Sequence, residues 1–142
     1  MESGLRKPGV PWLDCAMRRN WIWLLPLSVA ATIVWLSSRP GYPFGISLPA
    51  PFDKLAHMAA FGVLAALTEI AWRYTHRDLP RLRRLLVIFI GVAIFGASDE
   101  IHQYFVPGRA CDFHDWMADA TGGAVGLALA SLPLLWRRNM AG

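Results

Sequence analysis

Residues 98–119 read SDEIHQYFVPGRACDFHDWMAD and join two apolar segments, RLLVIFIGVAIFGA before them and ATGGAVGLALASLPLLW after them. Both flanking segments have the composition of membrane-spanning helices. The junction is rich in ionisable and amide side chains, namely Asp99, Glu100, His102, Gln103, Arg109, Asp112, His114, Asp115 and Asp119. A polar group in the hydrocarbon of a membrane costs several kcal/mol unless it has a partner or water. The stretch therefore predicts a polar site at one end of a helical membrane bundle.

The composition of the whole chain supports this class of protein. Its 142 residues are 55% hydrophobic and 17% charged, and the mean hydropathy is +0.36. A soluble domain of this size has too much surface for its volume to bury so many apolar side chains. Seven tryptophans also suit a membrane, because the amphipathic indole ring favours the interface between lipid and water. We predict an all-α integral membrane protein.

Four apolar segments predict a bundle of four transmembrane helices, at 21–36, 55–72, 85–105 and 116–136. Each approaches the ~20 residues that cross ~30 Å of hydrocarbon. The first segment follows Arg18 and Arg19, as in a signal peptide, but it ends without a suitable small-residue cleavage site. We therefore expect an uncleaved helix. Residues 1–20 then form an amino-terminal arm, 21–138 the transmembrane domain and 139–142 a tail.

The basic residues predict the orientation of the bundle. If the amino terminus is cytoplasmic, only Arg39, Lys54 and Arg109 of the 14 basic residues fall on the other side. This is the positive-inside pattern, which places both termini in the cytoplasm. Cys15 and Cys111 then lie on opposite sides and cannot form a disulfide. The basic residues flank apolar segments and form no nucleic-acid-binding motif, so we expect no nucleic-acid partner.

The predicted topology brings polar residues of three helices to one extracytoplasmic end. They are Asp53, Lys54 and His57 at the start of the second helix, Asp99, Glu100 and Gln103 at the end of the third, and Asp115 and Asp119 at the start of the fourth. Residues four apart share a helix face, as Asp115 and Asp119 do. The predicted site thus contains groups from three separate segments of the chain.

Acids at a helix start have a simpler explanation than a functional site. Asp53, Asp112 and Asp115 can cap a helix or complement its dipole. That explanation fails for Asp99 and Glu100, which lie at a helix end where the dipole disfavours anions. We expect Lys54, Arg109, His57, a metal or water to compensate these two acids. Near the opposite end, Glu69 is expected to reach the interface or to pair with Arg73.

Small residues recur every four positions along the fourth helix, at Ala118, Gly122, Gly126 and Ala130. Such a ridge allows another helix to approach closely. We expect it to pack against a helix of the same chain. A homo-oligomer that forms through the fourth helix is the alternative.

Three motifs resemble those of the VanZ-like membrane proteins. They are Asp53-Lys54-x-x-His57-x-x-x-Phe61, Ser98-Asp99-Glu100-x-x-Gln103 and Arg109-x5-Asp115-x3-Asp119-x-x-Gly122, all within residues 53–129. The resemblance implies a small multi-pass protein of the bacterial inner membrane with an envelope-related role. The founding member is associated with low-level resistance to the glycopeptide teicoplanin. Many members carry Asn where this chain has Asp119, which adds a carboxyl group here.

The residues leave three classes of function open. In the first, the site binds or helps to modify an anionic lipid-linked envelope component, and no cofactor is needed. Lys54, His57 and Arg109 would contact a phosphate or carboxylate. The acids and Gln103 would orient these cations or bind hydroxyl and amide groups of the substrate. Membrane lipids are the expected partners.

The second class is a metal-dependent hydrolase or transferase that acts on a lipid headgroup. Asp99, Asp119 and His57 would bind a divalent cation such as Mg²⁺. Asp99, Glu100 and His57 are the candidate catalytic residues, although no nucleophile set with a known spacing is present. The third class is a proton- or ion-coupled carrier, for which acids within a membrane are typical. Four helices would form such a carrier only as an oligomer.

Overall fold

The computed structural model describes residues 20–41, 52–76 and 79–139. These residues form a short 3-10 turn at Trp21–Trp23 and four α-helices, which we name α1 (Leu24–Ser37), α2 (Phe52–Thr75), α3 (Arg81–Tyr104) and α4 (Phe113–Asn139). The described residues include no strand, so the all-α prediction is confirmed. The largest difference in boundary is in α3, which begins four residues before the predicted 85–105 segment. The predicted amino-terminal arm and carboxyl-terminal tail lie largely outside the described residues.

Local sequence explains where the last two helices begin. Pro80 precedes α3 with an extended backbone (φ −52°, ψ 140°), and a proline there gives up no helical hydrogen bond. Asp112 caps α4, because its Oδ1 accepts the backbone N–H of His114 at 2.8 Å. Between these helices, Gly108 has a φ of 77°, which glycine adopts without steric cost. The chain therefore turns tightly from α3 into α4.

Successive helices run in opposite directions. At one end of the bundle, Ser37 at the end of α1 donates to Asp99 near the end of α3. Lys54 at the start of α2 pairs there with Asp115 at the start of α4. We call this the site end. At the opposite end, Trp23 Nε1 donates to Thr75 Oγ1 at 3.1 Å.

Glycines bring α2 and α4 into backbone contact. A Cβ atom at Gly126 would overlap the backbone of Gly62, and one at Gly122 would overlap the backbone of Met58. Ala118, in the same ridge of α4, is buried. The small-residue ridge thus packs within the chain, as expected. Helices without side chains at their crossing can approach more closely than usual, and such contacts are typical of membrane proteins.

Large apolar side chains are exposed over much of the surface of the described residues, whereas several ionisable side chains are buried. Large hydrophobic residues are exposed along all four helices, including Leu27, Val63, Ile94 and Leu129. A soluble protein rarely leaves such extensive apolar surface in water. Among the described residues, α2 and α3 are long and apolar enough to cross a membrane, and the 3-10 turn and α1 together form a shorter apolar helix. This distribution is that of a membrane protein.

A buried ion pair joins α2 and α3 at the opposite end. Arg84 donates from Nε and from Nη2 to the two carboxylate oxygens of Glu69, at 2.8 and 2.9 Å. Glu69 is fully buried, so of the two expected alternatives it does not reach the interface but pairs with arginine side chains. Its expected i,i+4 neighbour Arg73 also lies near, 3.6 Å from Glu69 Oε1. A bidentate charge pair thus joins the last part of α2 to the first turn of α3.

Candidate functional site

The centre of the site is a contact between α2 and α4. His57 Nδ1 lies 2.9 Å from Oδ1 of Asp119, which is fully buried. Gly96 of α3 provides the space for this carboxylate, because a Cβ atom there would lie 3.1 Å from Asp119 Oδ2. Cε1 of Phe61, one turn after His57 on α2, would lie 3.4 Å from a Cβ atom at Gly96. A buried acid is therefore built into a packed three-helix junction.

Glu100 faces the same junction from α3 and is also buried. Its Oε2 accepts the backbone N–H of Asp112 at 2.9 Å, which fastens the α3–α4 turn to the end of α3. Glu100 Oε1 and Asp119 Oδ2 are buried, and neither has a hydrogen-bond partner among the described residues. Buried polar atoms without a partner are rare in proteins and costly. Two such oxygens in one junction indicate a site that accepts a further group.

His57, Glu100 and Asp119 form a set with the spacing of metal ligands. One potential ligand atom from each lies within 4.8 Å of the others. The sequence also suggested a three-residue set, but with Asp99 in place of Glu100. In the structure Glu100 takes that position because Asp99 faces α1. The set supplies one imidazole nitrogen and carboxylate oxygens, a combination that suits Mn²⁺ or Zn²⁺.

Asp99 is compensated by neutral donors. Its Oδ2 accepts hydrogen bonds from Ser37 Oγ at 2.8 Å and from Gln103 Nε2 at 2.9 Å. All three residues are buried. Among the described residues, none of Lys54, Arg109 and His57 makes an ion pair with Asp99; the sequence-based expectation named these three groups, a metal or water. Asp99 therefore joins α1 to α3, next to the His57–Glu100–Asp119 set rather than within it.

Lys54 is engaged by the two acids at the start of α4. Its ammonium group pairs with Asp115 and lies 3.3 Å from Asp112 Oδ2. Asp112 lies outside the helices, and its pKa is lowered to about 2, first by the backbone N–H of His114, then by the His114 imidazole and by Lys54. Asp112 thus caps the helix start, as the capping explanation predicted, and Asp115 lies in the first turn of the helix. They also hold Lys54 beside the site.

Two further predicted polar groups lie at the same end. Arg109 is half-buried in the α3–α4 turn, and its Nε is buried with no hydrogen-bond partner among the described residues. The same is true of Asp53 Oδ1 in the first turn of α2. His102 is exposed and lies 3.0 Å from the Ser38 hydroxyl, and His114 is also exposed. Both histidines are peripheral to the buried set.

Sequence reasoning missed Ser37 and Gly96, which complete the site from α1 and α3. Gly96 precedes Glu100 by four residues and therefore shares its helix face, so the spacing carried a signal. Ser37 carried only a weak signal, as a hydroxyl residue at the end of an apolar segment. The sequence could not indicate that the backbone amide of Asp112 donates to Glu100, because every residue except proline has such an amide.

Apolar side chains over the helical exterior, with ionisable side chains buried between the helices, are the pattern of a helical membrane protein. The chain belongs to the VanZ/LLP1 family, whose sequence pattern matches residues 10–136. The resemblance inferred from the three motifs is thereby confirmed. Comparisons with curated proteins and with solved structures gave no match. Membership of this family is consistent with an envelope protein linked to glycopeptide tolerance.

Proposed function

We propose that this protein crosses the bacterial cytoplasmic membrane four times, with both termini in the cytoplasm and the site end outside. The charge distribution supports this orientation. Lys54, Arg109 and Arg39 are the basic residues of the site end, whereas Arg73, Arg81, Arg83 and Arg84 lie at or near the opposite end of α2 and α3. Basic residues collect on the cytoplasmic side of bacterial membrane proteins.

The function that the site supports best is binding of the anionic headgroup of a lipid-linked envelope component. The observation that carries this proposal is the group of buried, unpartnered polar atoms at the site end. They are Glu100 Oε1, Asp119 Oδ2, Arg109 Nε and Asp53 Oδ1. Leaving each unpaired costs roughly 1–3 kcal/mol, so a polar headgroup that pairs with them gains affinity.

The site offers partners for the anionic group of a headgroup and for its hydroxyl and amide groups. Arg109 offers a guanidinium group, which binds phosphate with good geometry. The carboxylates of Glu100 and Asp119 suit hydroxyl and amide groups, which donate hydrogen bonds. Lys54 already has two acidic partners, and its role is to position the start of α4 beside the headgroup. Arg109 is therefore the principal anion-binding residue of the proposal.

A lipid-linked substrate reaches this site without leaving the membrane. The helices around the site carry exposed apolar residues close to it, including Leu55, Ile101 and Met117. An isoprenoid or acyl chain packs against such a surface while its headgroup enters the polar junction. A lipid-linked substrate thus fits both the apolar exterior and the buried polar interior.

The test measures binding of a polyprenyl phosphate to the purified full-length protein in nanodiscs, in buffer with EDTA. We expect the phosphate to raise the melting temperature and the corresponding neutral polyprenol to have little effect. Arg109→Gln should raise the apparent Kd for the phosphate at least tenfold, which corresponds to about 1.4 kcal/mol of binding free energy.

Arg83→Gln is the matched control, because Arg83 is an exposed arginine at the opposite end of α3. It should bind polyprenyl phosphate like the wild-type protein. Equal stabilisation by the phosphate and the neutral alcohol would contradict the proposal, as would unchanged phosphate binding in Arg109→Gln. In cells, the proposal predicts that loss of the protein lowers tolerance to teicoplanin and that the Arg109→Gln variant fails to restore it.

A metal-dependent hydrolase or transferase is the second candidate function. The observation that favours it is the ligand-like spacing of His57, Glu100 and Asp119. A metal ion beside a bound phosphate would polarise it and stabilise the charge that develops during transfer. Release of the headgroup from a labelled polyprenyl-linked substrate, dependent on added divalent cation, would distinguish this enzyme from a binding protein.

A further inference from the structure

The arrangement of charge in the His57–Glu100–Asp119 set calls for a positive group. Both acids are buried, and one oxygen of each has no partner among the described residues. His57 contacts only one of the two acids directly, through Asp119 Oδ1. Two carboxylates in a junction of low polarity cannot both stay ionised cheaply unless a cation lies between them.

We propose that this set binds one divalent transition-metal ion, with Mn²⁺ and Zn²⁺ as the best-suited ions. The inference concerns the same site as the proposed headgroup binding but does not require a lipid. One potential ligand atom from each residue lies within 4.8 Å of the others. Small side-chain movements bring such atoms to the roughly 2.0–2.2 Å from a single ion that these metals require.

The chemistry of the ligands selects the class of ion. Two carboxylates and one imidazole form a mixed oxygen and nitrogen set. Mg²⁺ and Ca²⁺ prefer oxygen ligands alone, and sites for soft ions such as Cu⁺ are rich in sulfur. Asp119 provides a carboxylate oxygen, whereas an asparagine at this position would provide only a neutral amide. The site should therefore bind a cation more tightly with aspartate than with asparagine.

Neighbouring groups hold the ligands in place. The Asp112 backbone N–H binds Glu100 Oε2 at 2.9 Å and leaves Oε1 available. The contact of His57 Nδ1 with Asp119 Oδ1 fixes both side chains and leaves Oδ2 available. A hydrogen bond from a group outside the ligand set, such as that of the Asp112 amide to Glu100, orients a metal ligand. Three ligands also leave coordination positions for water or for a phosphate oxygen.

The experiment uses the full-length protein in detergent, freed of metal with EDTA and then dialysed, with MnCl₂ as the only added ligand. Electron paramagnetic resonance of free Mn²⁺ measures binding, and the melting temperature measures its effect on stability. We expect one Mn²⁺ bound per chain and a saturable rise in melting temperature of several degrees. Zn²⁺ should compete for the same site, whereas Mg²⁺ at equal concentration should not.

Glu100→Gln and Asp119→Asn keep the shape of each side chain and remove its charge. Each should weaken Mn²⁺ binding at least tenfold. Glu69→Gln is the control, since Glu69 is an equally buried acid at the opposite end of α2. That variant should melt at a lower temperature but bind Mn²⁺ normally. Absence of Mn²⁺ binding by the wild-type protein, or unchanged binding in both site variants, would overturn the inference. Because no lipid is present, either result leaves the headgroup proposal to its own test.

Discussion

His57 on α2 and Asp119 on α4 are in direct contact, with 2.9 Å between Nδ1 and Oδ1. The two residues are 62 positions apart in the sequence, and they meet near the amino-terminal ends of their helices. One turn nearer the start of both helices, Lys54 pairs with Asp115 between the same two helices. Two successive polar contacts thus set the register of α2 against α4, and the backbone contacts of the glycines below them fix the distance.

The glycine contacts predict a large difference between two Gly→Ala substitutions. Gly126→Ala should lower stability by about 1–3 kcal/mol, because its Cβ atom would overlap the backbone of Gly62 and force the helices apart. Gly91→Ala on α3 is the control, since a Cβ atom there meets nothing within 4 Å. It should be neutral or stabilising by up to about 1 kcal/mol, since alanine favours a helix. Melting temperatures in detergent compare the two. Equal effects would contradict the packing of α2 on α4.

The buried pair of Glu69 and Arg84 predicts that loss of the arginine is costly. Arg84→Met should destabilise the protein by roughly 3–5 kcal/mol, because it leaves Glu69 buried beside the more distant Arg73 alone. The double variant Arg84→Met/Glu69→Leu should recover much of that loss. The neighbouring Arg83 is exposed, so Arg83→Met serves as the control and should have little effect. Additive losses in the double variant would show that the two charges are not coupled.

Much of this architecture follows from the sequence, although the pairing of individual groups does not. The apolar segments located all four helices, and the alternation of their direction brought Lys54, His57, Glu100 and Asp119 to one end. The rotation of each helix about its axis was harder to infer. In a membrane protein both the lipid-facing side and the core are apolar, so the hydrophobic pattern does not mark the inner face. For this reason the sequence alone did not show that Asp99 faces Ser37 of α1. Nor did it show that Glu100, rather than Asp99, lies with His57 and Asp119.

Asp112 provides a prediction about pH. Its pKa is lowered from 3.8 to about 2, so the ionised carboxylate stabilises the folded chain above pH 3.8, and this contribution disappears as the pH falls through about 2. Asp112→Asn keeps a residue that can cap α4 but removes the charge. The melting temperature of the wild-type protein should exceed that of the variant above about pH 4, and the two should converge near pH 2. A difference that does not change between these pH values would show that the charge of Asp112 does not stabilise the fold.

The proposed orientation predicts which cysteine reacts in intact cells. Cys111 is exposed in the turn between α3 and α4, at the site end. A membrane-impermeant maleimide should label Cys111 from outside and should label Cys15 only after the cells are opened. The single variants Cys111→Ser and Cys15→Ser assign the signal to one residue. Labelling of Cys15 in intact cells would reverse the orientation and place the site in the cytoplasm.

Native mass spectrometry of the protein released from mild detergent tests most directly whether the buried polar junction receives a lipid headgroup. The wild-type protein should retain one anionic polyprenyl-linked lipid per chain. The retained lipid should be lost in Arg109→Gln and strongly reduced in Glu100→Gln, whereas Arg83→Gln should keep it. Retention of bulk phospholipids alone, in the same amounts for all four proteins, would contradict the proposed headgroup binding.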